Sequence, residues 1–127
     1  MRALVIDDSA VTRGIIKQIL NPMGFEVFEA GDGREGLDRV RELDGLDLIL
    51  LDWNMPRMDG IEFLRMLRTQ TAFAGLPVMM VSSNNEAENI AASLNAGANE
   101  YIMKPFGEDV MRAKLELLGF FKHDRDE

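Results

Sequence analysis

The 127-residue chain contains no cysteine. That excludes a disulfide framework and any cysteine-ligated metal site, and it suits a reducing compartment. No apolar stretch approaches the roughly 18 residues that a membrane-spanning helix needs. The opening residues, Met1-Arg2-Ala3-Leu4-Val5-Ile6-Asp7, hold an apolar run too short for a signal peptide, and acids follow it at once. The expected location is the cytoplasm, with no membrane association. Basic residues are scarce: 14 Lys and Arg stand against 22 Asp and Glu, for a formal net charge of −8. Such a surface repels nucleic-acid phosphates, and no basic run with interleaved aromatics offsets it. The acidity leaves two readings open. One is solubility alone; the other is a partner that is a metal ion or a basic protein patch. The chain also lacks a linker, a low-complexity segment and any sign of a second domain.

What is present is a regular alternation of strand-like and helix-like segments. Residues 3–6 form a short apolar run ending in Asp7-Asp8. Ser9 is placed to cap a helix with Val11, Ile15 and Ile19 at helical spacing, stopped by Asn21-Pro22-Met23-Gly24. Residues 25–30 alternate only partly, as a less buried edge strand does. Asp32 and Glu35 have capping-box spacing ahead of Leu37, Val40 and Leu43. Residues 48–51 are the most apolar run and read as a central strand. Asp59 and Glu62 repeat the capping-box spacing before Ile61, Leu64 and Leu67. The fourth strand spans 77–81, with Pro77 at its start, where proline is tolerated. A helix from about Glu86 to Asn95 puts Ala87, Ile90, Ala91 and Leu94 on one face, and Gly97 ends it as a C′ glycine. Residues 100–103 are the fifth strand. The last helix runs over 108–118 and stops at Gly119; one of its two apolar faces, Val110/Ala113/Leu117 or Met111/Leu115/Leu118, packs on the sheet. A charged tail follows. The domain is expected to occupy 1–120, with 121–127 as the tail.

Five β-α repeats imply parallel pairing, right-handed crossovers and helices on both faces. The fold class is α/β, a flavodoxin-like doubly wound five-stranded parallel sheet. In such a sheet all carboxyl ends of the strands lie at one edge, where ligands bind. The first strand ends at Asp7-Asp8, the third at Asp52, the fourth at Ser82-Ser83 and the fifth at Lys104-Pro105. Any one of these could serve only as a cap or a solvated loop residue; all of them together point to a site. Three clustered carboxylates repel one another, and a hard cation such as Mg²⁺ resolves the repulsion. Lys104 can neutralise a phosphoryl oxygen and Ser82 can donate to another. With a carboxylate nucleophile, best supplied by Asp52, these are the parts of phosphoryl transfer.

The sequence resembles the receiver domains of two-component response regulators, most of all their stand-alone chemotaxis members. The likeness covers residues 1 to about 119. It rests on Val5-Ile6-Asp7-Asp8, Leu51-Asp52-Trp53-Asn54-Met55-Pro56, Met58-Asp59-Gly60, Met80-Val81-Ser82, Asn95-Ala96-Gly97-Ala98 and Tyr101-Ile102-Met103-Lys104-Pro105-Phe106. The resemblance implies strand order 2-1-3-4-5. It implies that a histidine kinase donates a phosphoryl group to Asp52, in a chain that promotes its own phosphorylation and dephosphorylation and is otherwise no enzyme. Mg²⁺ would be held by Asp8, Asp52 and the backbone carbonyl of Asn54, with Asp7 acting partly through water. Lys104 would face the phosphoryl group, Ser82 and Tyr101 would form the switch, and the Lys104-Pro105 bond would be cis. The fourth helix, fifth strand and fifth helix would signal to a protein effector, a flagellar motor protein or another signalling protein, with a phosphatase as a further partner. The chain would act as a monomer. From the residues alone Tyr101 reads better as a half-buried strand aromatic than as a switch. Asn84 stands where some members carry Glu, and Ser82 where many carry Thr, which leaves the lifetime of the phosphorylated state open.

Rival readings fail on residues. An EF-hand loop counted from Asp52 would put Arg57 where glycine is required. A dehalogenase-type phosphatase needs Asp-x-Asp, and Asp52-Trp53-Asn54 lacks the second acid. A flavodoxin's phosphate loop is ill served by Asp7-Asp8. A receiver belonging to a larger regulator, or a phosphorelay intermediate, remains the alternative.

Overall fold

A computed structural model describes residues 1–53, 55, 58–83 and 87–121, with the backbone alone described at 87–89. Five strands alternate with five helices: β1 Arg2–Ile6, α1 Ala10–Leu20, β2 Glu26–Ala30, α2 Gly33–Glu42, β3 Leu48–Asp52, α3 Gly60–Arg68, β4 Val78–Ser82, α4 Ala87–Ala96, β5 Glu100–Met103 and α5 Glu108–Leu117. Two 3-10 turns, Asn21–Met23 and Thr71–Phe73, follow α1 and α3. The strands form one parallel sheet in the order β2-β1-β3-β4-β5.

Strands β3 and β4 are buried along their whole length, because helices cover both faces. This is why they read as unbroken apolar runs instead of alternating ones. Successive side chains still point to opposite faces. Leu4, Ile6, Ile49, Leu51, Val78 and Met80 pack with Leu37 and Val40 of α2 and Phe63, Leu64 and Leu67 of α3. Ala3, Val5, Leu48, Leu50, Met79, Val81 and Ile102 pack with Ile16 and Leu20 of α1 and Met111 and Leu115 of α5. Edge strand β2 is the more exposed, as its partial alternation indicates.

Two helix faces differ from the sequence reading. In α1 the buried row is Ile16 and Leu20, while Val11 and Ile15 are exposed. Both rows satisfy helical spacing, and the way the sheet receives the helix decides between them. In α4, Leu94 and Ala91 face outward and Ser93 is buried. In α5 the Met111/Leu115 row packs on the sheet, and Val110 and Leu117 are exposed.

The expected caps form. Ser9 accepts from the Thr12 N–H, and Asp32 from the Glu35 N–H. Asp59 and Glu62 close a full capping box, at 2.9 and 3.2 Å. Glu35 reaches one residue further back and accepts from the Gly31 N–H at 2.7 Å. Gly97 ends α4 at φ +115, a left-handed conformation that favours glycine. A side chain there would also meet Arg68, whose Nε and Nη2 donate to the Gly97 carbonyl at 3.1 and 2.8 Å. Arg68 Nη1 donates to the Phe73 carbonyl and Nη2 to Asn99 Oδ1, so one guanidinium ties α3 to the turn before β5. Desolvation by this burial lowers the Arg68 pKa.

Candidate functional site

The carboxyl ends of β1, β3, β4 and β5 meet at one edge of the sheet, and each is fixed by its neighbour's backbone. The Asp7 N–H donates to the Ala30 carbonyl at 3.1 Å, Trp53 N–H to Val81 at 3.0 Å and Lys104 N–H to Ser82 at 2.8 Å. Asp52 is therefore the last ladder residue of the most buried strand, paired in register with Val81. The chain breaks away immediately after it.

Asp7 and Asp52 are buried, at 1% and 6% exposure, and Asp8 is exposed. One oxygen from each of the three carboxylates lies within 4.8 Å of the others. Lys104 reaches in from β5: its Nζ is 3.4 Å from Asp7 Oδ2 and 3.6 Å from Asp52 Oδ1. Asp7 Oδ1 also accepts from the Ser9 N–H at 2.9 Å. Ser82 is buried at the end of β4, beside β5 through its register with Met103. The Lys104-Pro105 peptide is cis. Asn54, expected to supply a backbone carbonyl, lies outside the described residues, as do Asn84 and Glu86.

Three carboxylates and one ammonium, with two of the acids desolvated, form a hard-oxygen donor set. Its chemistry fits a small divalent cation that keeps several waters. The geometry can also present Asp52 to an electrophile while Lys104 offsets the charge that develops.

Tyr101 lies on β5, half-buried against the α2/α3 side of the core. The Lys114 ammonium sits 4.8 Å from its ring centroid and 3.1 Å from Glu100 Oε1, so α5 grips the outer edge of β5.

Motif spacing gives no sign of what Gly60 does. It opens α3 directly beneath Asp52, and a Cβ there would lie 2.6 Å from the Asp52 carbonyl oxygen and 3.3 Å from the Trp53 Cα. Only a residue without a side chain lets α3 start this close to the strand end. The available signal was Gly60 immediately after the cap Asp59.

The model of the response regulator receiver domain matches residues 3–116. The chain belongs to this family. This receiver domain is 35% identical over 119 residues to the chemotaxis protein CheY1 of Helicobacter pylori, a match covering 93% of this chain and 96% of the relative. It is 37% identical over 117 residues to a CheY homolog of Campylobacter jejuni, covering 91% and 90%. Among solved structures, the chemotaxis response regulator CheY4 of Vibrio cholerae superposes with a TM-score of 0.86 at 31% identity, covering 92% of this receiver and 97% of that chain. A probable two-component response regulator/GGDEF domain protein superposes with a TM-score of 0.85 at 29% identity, and there the match covers only 48% of the longer chain. Among the described residues, no helix is long and apolar enough to cross a membrane.

Proposed function

We propose that this receiver takes a phosphoryl group from a histidine kinase onto Asp52 and reports it through a changed surface at α4, β5 and α5. The observation that carries the reading is the convergence of the Asp7, Asp8 and Asp52 carboxylates with the Lys104 ammonium at one edge of the sheet. An Asp52 oxygen attacks phosphorus, the bond from phosphorus to the donor's imidazole nitrogen breaks, and the imidazole leaves. Asp7, Asp8, Asp52 and the backbone carbonyl of Asn54 would hold Mg²⁺. When bound, the cation neutralises the charge of the acidic cluster and of the incoming phosphoryl oxygens. Lys104 withdraws from its carboxylate partners to pair with a phosphoryl oxygen. Ser82 donates a hydrogen bond to another. Tyr101 then turns inward, and the β5 edge that it shares with Lys114 changes shape.

The names of the similar proteins favour a chemotaxis role. In that reading the chain acts as a cytoplasmic monomer, with a histidine kinase as donor, a motor protein or another signalling protein as effector, and a phosphatase ending the signal. The similarity to half of a longer regulator supports a second reading, in which the receiver works inside a larger protein. The independent domain is expected to span 1–120. Trp53, the only tryptophan, adjoins Asp52 and reports on the site. Its fluorescence is expected to change on adding Mg²⁺ and again on adding acetyl phosphate. No response to either reagent would contradict the proposal.

A further inference from the structure

Arg13 lies one turn into α1, outside the residues assigned above, yet it touches the acidic cluster. Its Nη1 donates to the Asp7 carbonyl at 2.6 Å, and its Nε donates to Glu29 Oε1 at 2.9 Å. The side chain is 19% exposed, and Glu29 is 37% exposed. Lys17 adds a longer contact to Glu29 at 3.9 Å. One planar guanidinium therefore joins α1, the end of β1 and the end of β2. The carbonyl that it grips belongs to the peptide linking Asp7 to Asp8. The other fixed points all lie on the Asp7 side: its N–H on Ala30, its Oδ1 on the Ser9 N–H and its Oδ2 near Lys104. A charge-assisted bond in a largely desolvated setting holds this peptide plane firmly. The plane in turn sets where the exposed Asp8 carboxylate points.

We propose that Arg13 is a positioning residue for the acidic cluster: by fixing the Asp7–Asp8 peptide it holds the two carboxylates in register for a divalent cation. The inference rests on the metal reading given above. It makes a prediction opposite in sign to the simple electrostatic one. A cation beside a cation site repels the ion, so deleting Arg13 for its charge alone would tighten Mg²⁺ binding. Deleting a residue that orients the ligands weakens it, as loss of outer-shell partners does elsewhere.

The test is Mg²⁺ titration of the full chain, followed by Trp53 fluorescence and checked by calorimetry, with thermal stability measured separately without Mg²⁺. Arg13→Ala is expected to weaken Mg²⁺ binding about tenfold. Arg13→Lys keeps the charge but loses the fork that spans Asp7 and Glu29, and is expected to weaken it about threefold. Wild-type or tighter affinity in folded Arg13→Ala overturns the proposal and leaves Arg13 as a brace between α1 and β2. If Arg13→Ala fails to fold, Arg13→Lys carries the test, and wild-type affinity there overturns it equally. Asp8→Asn separates the two levels. A wild-type chain that ignores Mg²⁺, or an Asp8→Asn chain that binds it as wild type does, fails the metal reading itself and this proposal with it.

Discussion

Replacing Gly60 with alanine strikes the point where α3 meets the end of β3. The glycine is not needed for its backbone angles, since its φ is not positive; it is needed for space. An added Cβ would lie 2.6 Å from the Asp52 carbonyl oxygen, 2.8 Å from Met80 Cε and 3.3 Å from the Trp53 Cα. The end of Met80 can rotate away. The Asp52 carbonyl cannot, because the strand end is held by the Trp53 N–H to Val81 bond at 3.0 Å. The start of α3 must therefore back off until the contact reaches an ordinary distance, or the Asp52 peptide must tilt. Overpacking of this kind costs about 1–3 kcal/mol, and the reduced freedom of the unfolded chain returns about 0.4–1 kcal/mol. The net is a loss of about 1–2 kcal/mol. An unfolding entropy of about 2.1 cal/mol/K per residue turns that into a fall in Tm of about 4–7 °C for a chain of this length. The shift at Asp52 should also slow phosphorylation by acetyl phosphate. Thermal melts by circular dichroism and an acetyl phosphate time course check both effects. Gly75→Ala, with nothing within 4 Å of its added Cβ, is the control; it meets no clash and keeps only the gain from reduced unfolded-chain freedom, so it should melt about 1–4 °C above wild type. A Gly60→Ala protein with wild-type Tm and wild-type phosphorylation would refute the close-approach argument.

Other perturbations separate the remaining elements. Asp59→Ala removes the cap and half of the capping box with Glu62, and should cost about 1 kcal/mol, or about 4 °C in Tm, by the same melt. Lys104→Ala removes the ammonium that approaches the Asp7 and Asp52 carboxylates. Mg²⁺ should then bind about tenfold more tightly while phosphorylation by acetyl phosphate falls; unchanged affinity by fluorescence titration would contradict the site's electrostatics. Tyr101→Ala should leave phosphorylation of Asp52 intact and weaken binding of the phosphorylated protein to its effector, measured by co-purification or calorimetry. Equal binding would remove Tyr101 from the switch.

Much of the site was legible because the parallel sheet does the assembling. Once residues 48–51 read as a buried central strand, the polar residues that end the strands had to share one edge. The structure puts Asp7, Asp8, Asp52 and Lys104 together there. What stayed hidden depended on contacts between distant segments. In α1, Val11, Ile15 and Ile19 match the helical period as well as Ile16 and Leu20 do, and packing on the sheet chose the second row. Alanine-rich α4 gives a weak periodic signal, so the outward turn of Leu94 left little trace in sequence. The roles of Gly60 and Arg13 escaped notice for a related reason. One matters for the room it leaves above a carbonyl and the other for a carbonyl that it grips, and backbone partners carry no residue identity. The 3-10 turn at Thr71–Phe73 has no proline or glycine within it to announce it.

Asp52 is proposed to accept the phosphoryl group. Intact-mass measurement after incubation with acetyl phosphate and Mg²⁺ tests it most directly. The wild-type chain should gain the mass of one phosphoryl group, and chelating the Mg²⁺ or substituting Asp52→Asn should abolish the gain. An Asp52→Asn chain that is phosphorylated to the wild-type level would contradict it.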